Sequence, residues 1–412
     1  MRYVIIGGSI AGISAAKEIR KGEPASEITV VSEEKTKAYY RPMIPYLIEK
    51  EGLDVAFPED LEGKYGLRYV FERAVGIDVP AKEVRLSSGR LVYDRLLIAT
   101  GSGPIMPDIP GLGGDGVFPL RTMEDALRIK SFVRGKKIAV IMGGGFVGTK
   151  AAIALRNLGM EVTIIEKLGQ VLPQRLDERA AKIVSDVIRA AGINIMLNDS
   201  IAEVIRSSGA VKSVRLSSGG SLEADMAIIA VGTRPNVEAF RDSGIRINKG
   251  ILVNELLQTS VADIYAAGDV VEYGDLISGV PSVSALWTNA EEMGRFAGKN
   301  MAGGKIKYRG FLSVMNSTDI LGVPVISVGM IEPAGKEYDV IVEDDLDRYR
   351  KLVFKDDSLV GALFVGDVTN AGIYTNLIKN RIPLGSLKEA AIQGELQYID
   401  FVAGASAHGL AV

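Results

Sequence analysis

The 412-residue sequence contains no cysteine. A chain without thiols forms no disulfide, binds no zinc ion or iron–sulfur cluster through thiolates, and uses no cysteine nucleophile. Its one histidine, His408, lies in a C-terminal stretch of small residues over Val402–Val412. Histidine is the side chain best suited to move protons near neutral pH, so histidine acid–base catalysis is not expected. No metal site is predicted either.

Long apolar runs and an excess of one charge are also missing. No apolar run reaches the length of a membrane-spanning helix. The net charge is −3 without a basic cluster, which argues against nucleic-acid binding. The N-terminus runs into glycines and a helix, unlike a signal peptide. We therefore expect a cytoplasmic protein of roughly three domains.

Two segments of the chain share one glycine-rich pattern. In the second of them, a buried strand over Ile138–Ile141 precedes glycines on G-x-G-x-x-G spacing. In a strand–turn–helix context, these glycines permit a tight turn, close approach of a pyrophosphate, and close packing of the helix on the strand. The alternative is a merely structural glycine turn. The candidate dinucleotide-binding residues are Gly143, Gly145, Phe146, Val147 and Gly148.

An acidic residue follows this motif at the expected distance. Glu166 ends the next apolar strand, Glu161–Glu166. About 20 residues after such a motif, a carboxylate can accept hydrogen bonds from a ribose 2′-hydroxyl. A carboxylate there also repels a 2′-phosphate, so the sequence favours NADH over NADPH.

The N-terminal segment repeats the pattern with one departure. Gly7 and Gly12 are in place, but Ser9 replaces the middle glycine, at some cost in fit to a pyrophosphate. Glu33 follows the next strand and is the favoured ribose ligand, with a solvated acidic turn as the alternative. The candidate residues of this motif are Gly7, Ser9, Ile10, Ala11, Gly12 and Glu33. Two such motifs predict two bound nucleotides.

Further candidates lie at the ends of predicted strands and in one loop. The aromatic, proline-punctuated segment Tyr39–Tyr46 is predicted to be a loop against a flat ligand, or else a packed surface turn. Asp269 ends a strand where parallel sheets bind ligands, and its carboxylate can bond a polyol hydroxyl. The remaining candidates are Ala99, Thr100, Gly101, Gly232, Gly268 and Trp287, the last in a helix predicted over Val283–Met301.

From Phe311 the character of the sequence changes. Short strands with acidic turns are followed by helices predicted over Thr369–Lys379 and Ser386–Tyr398. This region carries no nucleotide signature, and we expect a separate α+β domain.

As a set, these motifs resemble the flavoproteins with two dinucleotide-binding domains. That group includes NADH:rubredoxin and ferredoxin reductases, the flavin part of nitrite reductases, coenzyme A disulfide reductases and NADH oxidases. The resemblance implies an α/β fold with two Rossmann-like three-layer domains, as in glutathione reductase, and a C-terminal α+β interface domain. It implies FAD on Gly7–Gly12, with Glu33, Arg41, Pro42, Ala99, Thr100, Gly101, Gly268, Asp269 and Trp287, and NADH on Gly143–Gly148, with Glu166 and Gly232.

The resemblance also implies domain boundaries and a dimer. The FAD-binding domain is expected to be discontinuous, over residues 1–112 and 240–310, with an inserted NAD(P)H-binding domain over 113–239. The interface domain is expected over 311–412. In many relatives this last domain forms a homodimer.

Local departures from the family narrow the expected chemistry. Pro42 stands where thiol-dependent relatives carry a redox cysteine. A Lys–Glu pair that many relatives hold near the nicotinamide is replaced by Tyr46 and Lys150, and Lys150 is expected to meet another carboxylate or a phosphate. The flavin-proximal candidates are therefore Arg41, Pro42, Tyr46 and Lys150.

The resemblance implies hydride transfer from NAD(P)H to FAD and then electron transfer to an external acceptor. The favoured acceptor is a small iron–sulfur carrier such as rubredoxin or ferredoxin, and flow in the reverse direction is open. One alternative is a peroxide-forming NADH oxidase that uses oxygen. Another is a flavin-bearing binding or sensor protein with weak catalysis.

Overall fold

The computed structural model describes residues 1–345, 348–397 and 400. His408 lies outside these residues. In chain order, the helices are α1 (Ile10–Gly22), α2 (Tyr46–Glu49), α3 (Leu61–Tyr65), α4 (Met123–Phe132), α5 (Phe146–Asn157), α6 (Glu178–Ala190), α7 (Trp287–Met301), α8 (Ala371–Asn380) and α9 (Lys388–Gln393). Short 3-10 turns cover Arg41–Met43, Glu238–Ser243 and Gly385–Leu387.

In the described residues, strands outnumber helices. In chain order they are β1 (Arg2–Ile6), β2 (Glu27–Val31), β3 (Leu67–Val70), β4 (Ala74–Asp78), β5 (Glu83–Leu86), β6 (Arg90–Val92), β7 (Arg95–Ile98), β8 (Ser102–Pro104), β9 (Val117–Pro119), β10 (Ile138–Met142), β11 (Glu161–Glu166), β12 (Ile193–Leu197), β13 (Ile201–Ser207), β14 (Ala210–Leu216), β15 (Ser221–Glu223), β16 (Met226–Ile229), β17 (Thr233–Pro235), β18 (Ile251–Leu252), β19 (Ile264–Ala266), β20 (Val271–Gly274), β21 (Pro281–Val283), β22 (Met315–Ile320), β23 (Val323–Gly329), β24 (Tyr338–Asp344), β25 (Tyr349–Lys355) and β26 (Ser358–Val365).

Two five-stranded parallel sheets carry the glycine motifs. The first sheet has the order β19-β7-β1-β2-β3, and the second has the order β12-β11-β10-β16-β9. The central strands, β1 and β10, are apolar runs because both faces of a parallel sheet are covered. Strand β19 follows the whole second sheet in the chain, yet it pairs with β7 of the first. The chain therefore leaves the first sheet, builds the second, and returns.

Each parallel sheet lies between helices and a three-stranded antiparallel meander. In the second sheet, Ala139 and Ile141 pack towards α4, α5 and α6, whereas Val140 packs on the meander β13-β14-β15. In the first sheet, α1 packs closely on α7. A Cβ added at Gly294 would lie 2.2 Å from the Ala11 carbonyl oxygen, so a glycine is needed there. The predicted three-layer α/β class is confirmed.

The C-terminal sheet is antiparallel, with the order β22-β23-β26-β25-β24. One face carries Phe354 and Phe364 against α8 and α9. The other face carries Tyr349 and Leu363 and joins the hydrophobic core of the second sheet. This face therefore fixes the C-terminal sheet against the helices that follow the second glycine motif.

Several element boundaries differ from the prediction. The helix predicted from Val283 begins at Trp287, because Pro281–Val283 forms β21. Of the helix predicted over Ser386–Tyr398, Lys388–Gln393 forms α9, and Gly394 follows it with a φ of +80°. Tyr398 lies outside the described residues. The domain boundaries themselves stay a prediction. No helix in the described ranges combines the length and apolarity needed to cross a bilayer.

Candidate active site

Both glycine motifs open on one cavity of about 1700 Å³. The first loop, Gly7–Gly12, and the second loop, Gly143–Gly148, each lie at the carboxyl edge of their sheet, where parallel α/β folds bind ligands. The candidate residues that line this cavity are Gly7, Ser9, Ile10, Ala11, Glu33, Arg41, Pro42, Ala99, Thr100, Gly101, Gly143, Gly145, Phe146, Val147, Glu166, Gly232, Gly268, Asp269 and Trp287. The structure thus brings residues from widely separated motifs to one space.

The first loop has the backbone that a dinucleotide requires. Gly7 has a φ of +122°, a conformation that side chains disfavour. A Cβ added at Gly12 would lie 2.0 Å from the Gly7 carbonyl oxygen, so Gly12 allows α1 to start against the turn. Ser9 occupies the N-cap of α1, but its side chain makes no capping hydrogen bond. The first N–H groups of α1 therefore have no side-chain acceptor and are available to an anion.

A cation lies beside this helix N-terminus. Arg41 donates from Nε to Ser9 Oγ at 3.1 Å and from Nη1 to the Arg121 carbonyl oxygen at 3.2 Å. Its Nη2 bonds the Glu34 carboxylate, and its guanidinium lies 5.0 Å from the Tyr39 ring centroid. Burial alone would lower the pKa of Arg41, but Glu34 and Tyr39 outweigh it and raise the pKa. Arg41 is therefore a permanent positive charge at the first loop.

The two adjacent glutamates of this region have different surroundings. Glu34 accepts hydrogen bonds from both Arg41 and the Tyr39 hydroxyl. The Glu33 side chain is 69% exposed, and its nearest cation is Arg73 at 3.9 Å. Glu33 is thus the one that remains free to bind a ribose hydroxyl, as the sequence favours.

Asp269 is held by side chains that sequence analysis missed. Its Oδ2 accepts from Arg121 Nη2 at 2.8 Å and from Ser102 Oγ at 2.8 Å. Arg121 lies 148 positions away in the chain and immediately precedes the capping box of α4. A capping box predicts a helix start and says nothing about a cavity, so no local signal could have identified Arg121. It is a further residue that could contact a bound polyol or phosphate.

The second loop repeats the backbone geometry of the first. Gly143 has a φ of +111°, and a Cβ at Gly148 would lie 2.0 Å from the Gly143 carbonyl oxygen. Gly145 occupies the N-cap of α5, and a Cβ there would meet nothing within 4 Å. This open space lies where a pyrophosphate would approach the backbone.

Glu166 is positioned by the second loop itself. Its Oε2 accepts from the Gly144 N–H at 2.6 Å, and its Oε1 accepts from the Leu168 N–H at 2.9 Å. The residue is 8% exposed. Each carboxylate oxygen has a further lone pair, so Glu166 can also accept from a ribose hydroxyl.

Tyr46 and Lys150 contact each other but are not among the cavity-lining residues. Lys150 Nζ lies 3.1 Å from Tyr46 Oη and 5.4 Å from the Tyr46 ring centroid. It also donates to the backbone carbonyl of Asp319 in β22. Lys150 therefore meets a hydroxyl and a carbonyl oxygen, where the sequence predicted a carboxylate or a phosphate.

Two family models match the chain. The pyridine nucleotide-disulphide oxidoreductase model matches residues 1–294, and the rubredoxin NAD+ reductase C-terminal domain model matches residues 315–382. This chain belongs to the pyridine nucleotide-disulphide oxidoreductase family. The family uses FAD and NAD(P)H, and the chain is an NAD(P)H-dependent flavin oxidoreductase without a redox-active cysteine.

The names of individual relatives refer to different activities. An NADH oxidase of Methanocaldococcus jannaschii is 37% identical over 352 residues, covering 81% of this chain and 75% of that protein. An assimilatory nitrate reductase electron transfer subunit of Bacillus subtilis is 30% identical over 390 residues, covering 92% of this chain but 49% of that protein. The NADH:rubredoxin oxidoreductase structure from Clostridium acetobutylicum has a TM-score of 0.77 at 30% identity, covering 96% of this chain and 99% of that one.

The cavity residues fit the two cofactors of the family. Each loop combines a glycine of positive φ, a helix start without a side-chain cap, and a nearby carboxylate, Glu33 or Glu166, that lines the cavity. The described residues contain no group of three or more His, Cys, Asp or Glu side chains arranged to hold a metal ion.

Proposed function

We propose that this enzyme passes electrons from NADH, through FAD, to a small iron–sulfur carrier such as rubredoxin or ferredoxin. The observation that carries the proposal is Pro42, which lines the cavity next to Arg41 in a chain without any cysteine. Electrons therefore cannot pass through a thiol of this chain. The match of residues 315–382 to the C-terminal domain of rubredoxin reductases supports the same acceptor class.

The first loop is assigned to FAD and the second to NADH. Arg41 and the start of α1 bind the diphosphate of FAD, Glu33 binds a ribose, and Asp269 binds the ribitol. Glu166 binds the ribose of NADH and disfavours a 2′-phosphate. FAD held by these residues would supply a hydride acceptor that can also release single electrons. The protein residues would orient the two cofactors and exclude water.

The domain assignment follows from these roles. Residues 1–112 and 240–310 form the FAD-binding domain, and residues 113–239 form the NAD(P)H-binding domain. The return of β19 to the first sheet supports the discontinuity. Residues 311–412 form an interface domain, through which we propose that two copies pair.

The first test is anaerobic reduction of the purified flavoprotein by NADH, followed by mixing with oxidised rubredoxin or ferredoxin. Bleaching of the flavin absorption by NADH, then reoxidation by either carrier faster than by oxygen, is the expected result. Boiled carrier is the matched control. Reoxidation that is no faster with the carriers than with air would overturn the proposed acceptor.

A second acceptor, oxygen, is favoured by one comparison. The Methanocaldococcus jannaschii relative at 37% identity is an NADH oxidase. If oxygen is the acceptor, NADH consumption in air yields hydrogen peroxide at a rate that added rubredoxin does not change. Competition between the two acceptors in one reaction therefore separates the two functions.

A further inference from the structure

Ser9 is an N-cap serine that does not cap its helix. A serine at this position normally accepts a hydrogen bond from the second or third N–H of the helix. In α1 its side chain makes no such bond, and its hydroxyl accepts from Arg41 Nε at 3.1 Å. The Ser9 hydroxyl therefore bonds Arg41, 32 residues away in the chain, and leaves the first N–H groups of α1 without a side-chain acceptor.

The other nitrogens of Arg41 are held from different directions. The Glu34 carboxylate bonds Nη2, and the Arg121 carbonyl oxygen accepts from Nη1 at 3.2 Å. Glu34 is in turn fixed by the Tyr39 hydroxyl, which also accepts from the Met123 N–H at 3.1 Å. The Arg41 side chain is only 21% exposed. Each nitrogen of the guanidinium has a partner, and the group lies beside the first loop in one orientation.

We propose that Ser9 is a positioning residue, which fixes the Arg41 guanidinium at the N-terminus of α1 so that both act on the same diphosphate. This inference rests on the assignment of FAD to the first loop. According to this inference, serine in place of the usual glycine helps to orient the Arg41 guanidinium, which would contact the diphosphate. It contrasts with the expectation from sequence, in which Ser9 only costs some fit to the pyrophosphate.

The two interpretations of Ser9 predict opposite signs for one substitution. If Ser9 merely obstructs the pyrophosphate, Ser9→Gly opens the loop and FAD binds more tightly. If Ser9 orients Arg41, the same variant releases FAD more readily. The loss of one hydrogen bond to a charged group is expected to weaken FAD binding about tenfold. Ser9→Ala keeps the Cβ and removes only the hydroxyl, so it is expected to weaken binding to a similar degree.

The experiment follows FAD release from the holoprotein by flavin fluorescence after dilution, which gives a dissociation constant without any assay of turnover. Glu51→Gln is the control, because the Glu51 side chain is 87% exposed and pairs only with Lys130 at 3.2 Å among the described salt bridges. It is expected to release FAD as the unchanged protein does. Thermal unfolding of each variant checks that the Ser9 substitutions leave the fold intact, since serine-to-glycine changes at an N-cap cost little.

A double-mutant cycle tests whether Ser9 acts through Arg41. The Ser9→Gly effect is expected to disappear in an Arg41→Ala background, because the hydroxyl then has no guanidinium to orient. Arg41→Lys is the second background, since lysine keeps the charge but has no Nε donor at that place. An equal Ser9 effect in all backgrounds, or tighter binding by Ser9→Gly, would overturn the inference. Purified protein that binds no FAD at all would instead reject the proposed function.

Discussion

The two glycine loops of this protein have nearly the same backbone and different side chains. Gly7 and Gly143 adopt φ values of +122° and +111°. A Cβ added at Gly12 would lie 2.0 Å from the Gly7 carbonyl oxygen, and a Cβ added at Gly148 would lie 2.0 Å from the Gly143 carbonyl oxygen. Both helices start without a side-chain cap. The sequence repeat therefore encodes a common backbone geometry for binding a diphosphate.

The side chains around the loops distribute charge differently. At the first loop, Arg41 is fixed beside α1 by Ser9 and Glu34. At the second loop, Gly145 offers only backbone, and the Glu166 carboxylate is bonded to the Gly144 N–H. A fixed cation favours long retention of a diphosphate, whereas a carboxylate selects the ribose of an exchanging ligand. We infer that the same backbone motif can hold either a cofactor that stays bound or one that exchanges, and that the nearby side chains decide which.

Loss of Arg41 is expected to have the largest effect on the difference between the two loops. We expect Arg41→Ala to weaken FAD binding about 100-fold, or about 2.7 kcal/mol, because a buried charge-assisted contact to the diphosphate is lost. Glu34 also loses its partner, so some loss of stability is expected. Release of FAD on dilution measures the effect, and NADH binding to protein saturated with FAD measures the second loop. Equal losses at both loops would contradict the asymmetry.

A smaller effect is expected at the carboxylate of the second loop. Glu166→Ala removes the acceptor for the ribose and the repulsion of a 2′-phosphate. We expect the preference for NADH over NADPH, measured as the ratio of kcat/KM values, to fall about tenfold. Glu161→Gln, at the exposed start of the same strand, is the matched control. An unchanged preference in Glu166→Ala would remove Glu166 from the nucleotide site.

Both loops could be predicted from sequence because their signals are local. A buried strand, glycines at fixed spacing, a helix and an acidic residue all lie within one short segment, and each has a backbone or packing cause. Gly143 and Glu166 line the cavity, and Gly148 packs against the Gly143 carbonyl oxygen at the start of α5. The resemblance of these motifs to a known family also implied the three-layer fold that the structure has.

The charge network could not be predicted because its partners are distant in the chain. Arg121 reaches Asp269 across 148 positions, and Lys150 reaches the Asp319 carbonyl oxygen across 169. Such contacts depend on how sheets and domains pack, which no short pattern encodes. The same holds for Ser9: its residue type alone predicts a poorer fit to a pyrophosphate, and its contact with Arg41, 32 positions away, has no local sequence signal.

The smallest expected effect comes from giving the second loop the residue of the first. In Gly145→Ser, the new Cβ meets nothing within 4 Å, so the fold should tolerate it and the unfolding temperature should not change. The hydroxyl would instead occupy space that a pyrophosphate approaches. We expect NADH binding to weaken about threefold, which corresponds to about 0.6 kcal/mol and is less than one typical hydrogen bond contributes. FAD retention is expected to stay unchanged. Titration of the holoprotein with NADH under anaerobic conditions and measurement of FAD release test both statements. NADH binding that stays unchanged or becomes tighter would mean that this position tolerates serine in either loop, and the contrast between Ser9 and Gly145 would then have no functional consequence.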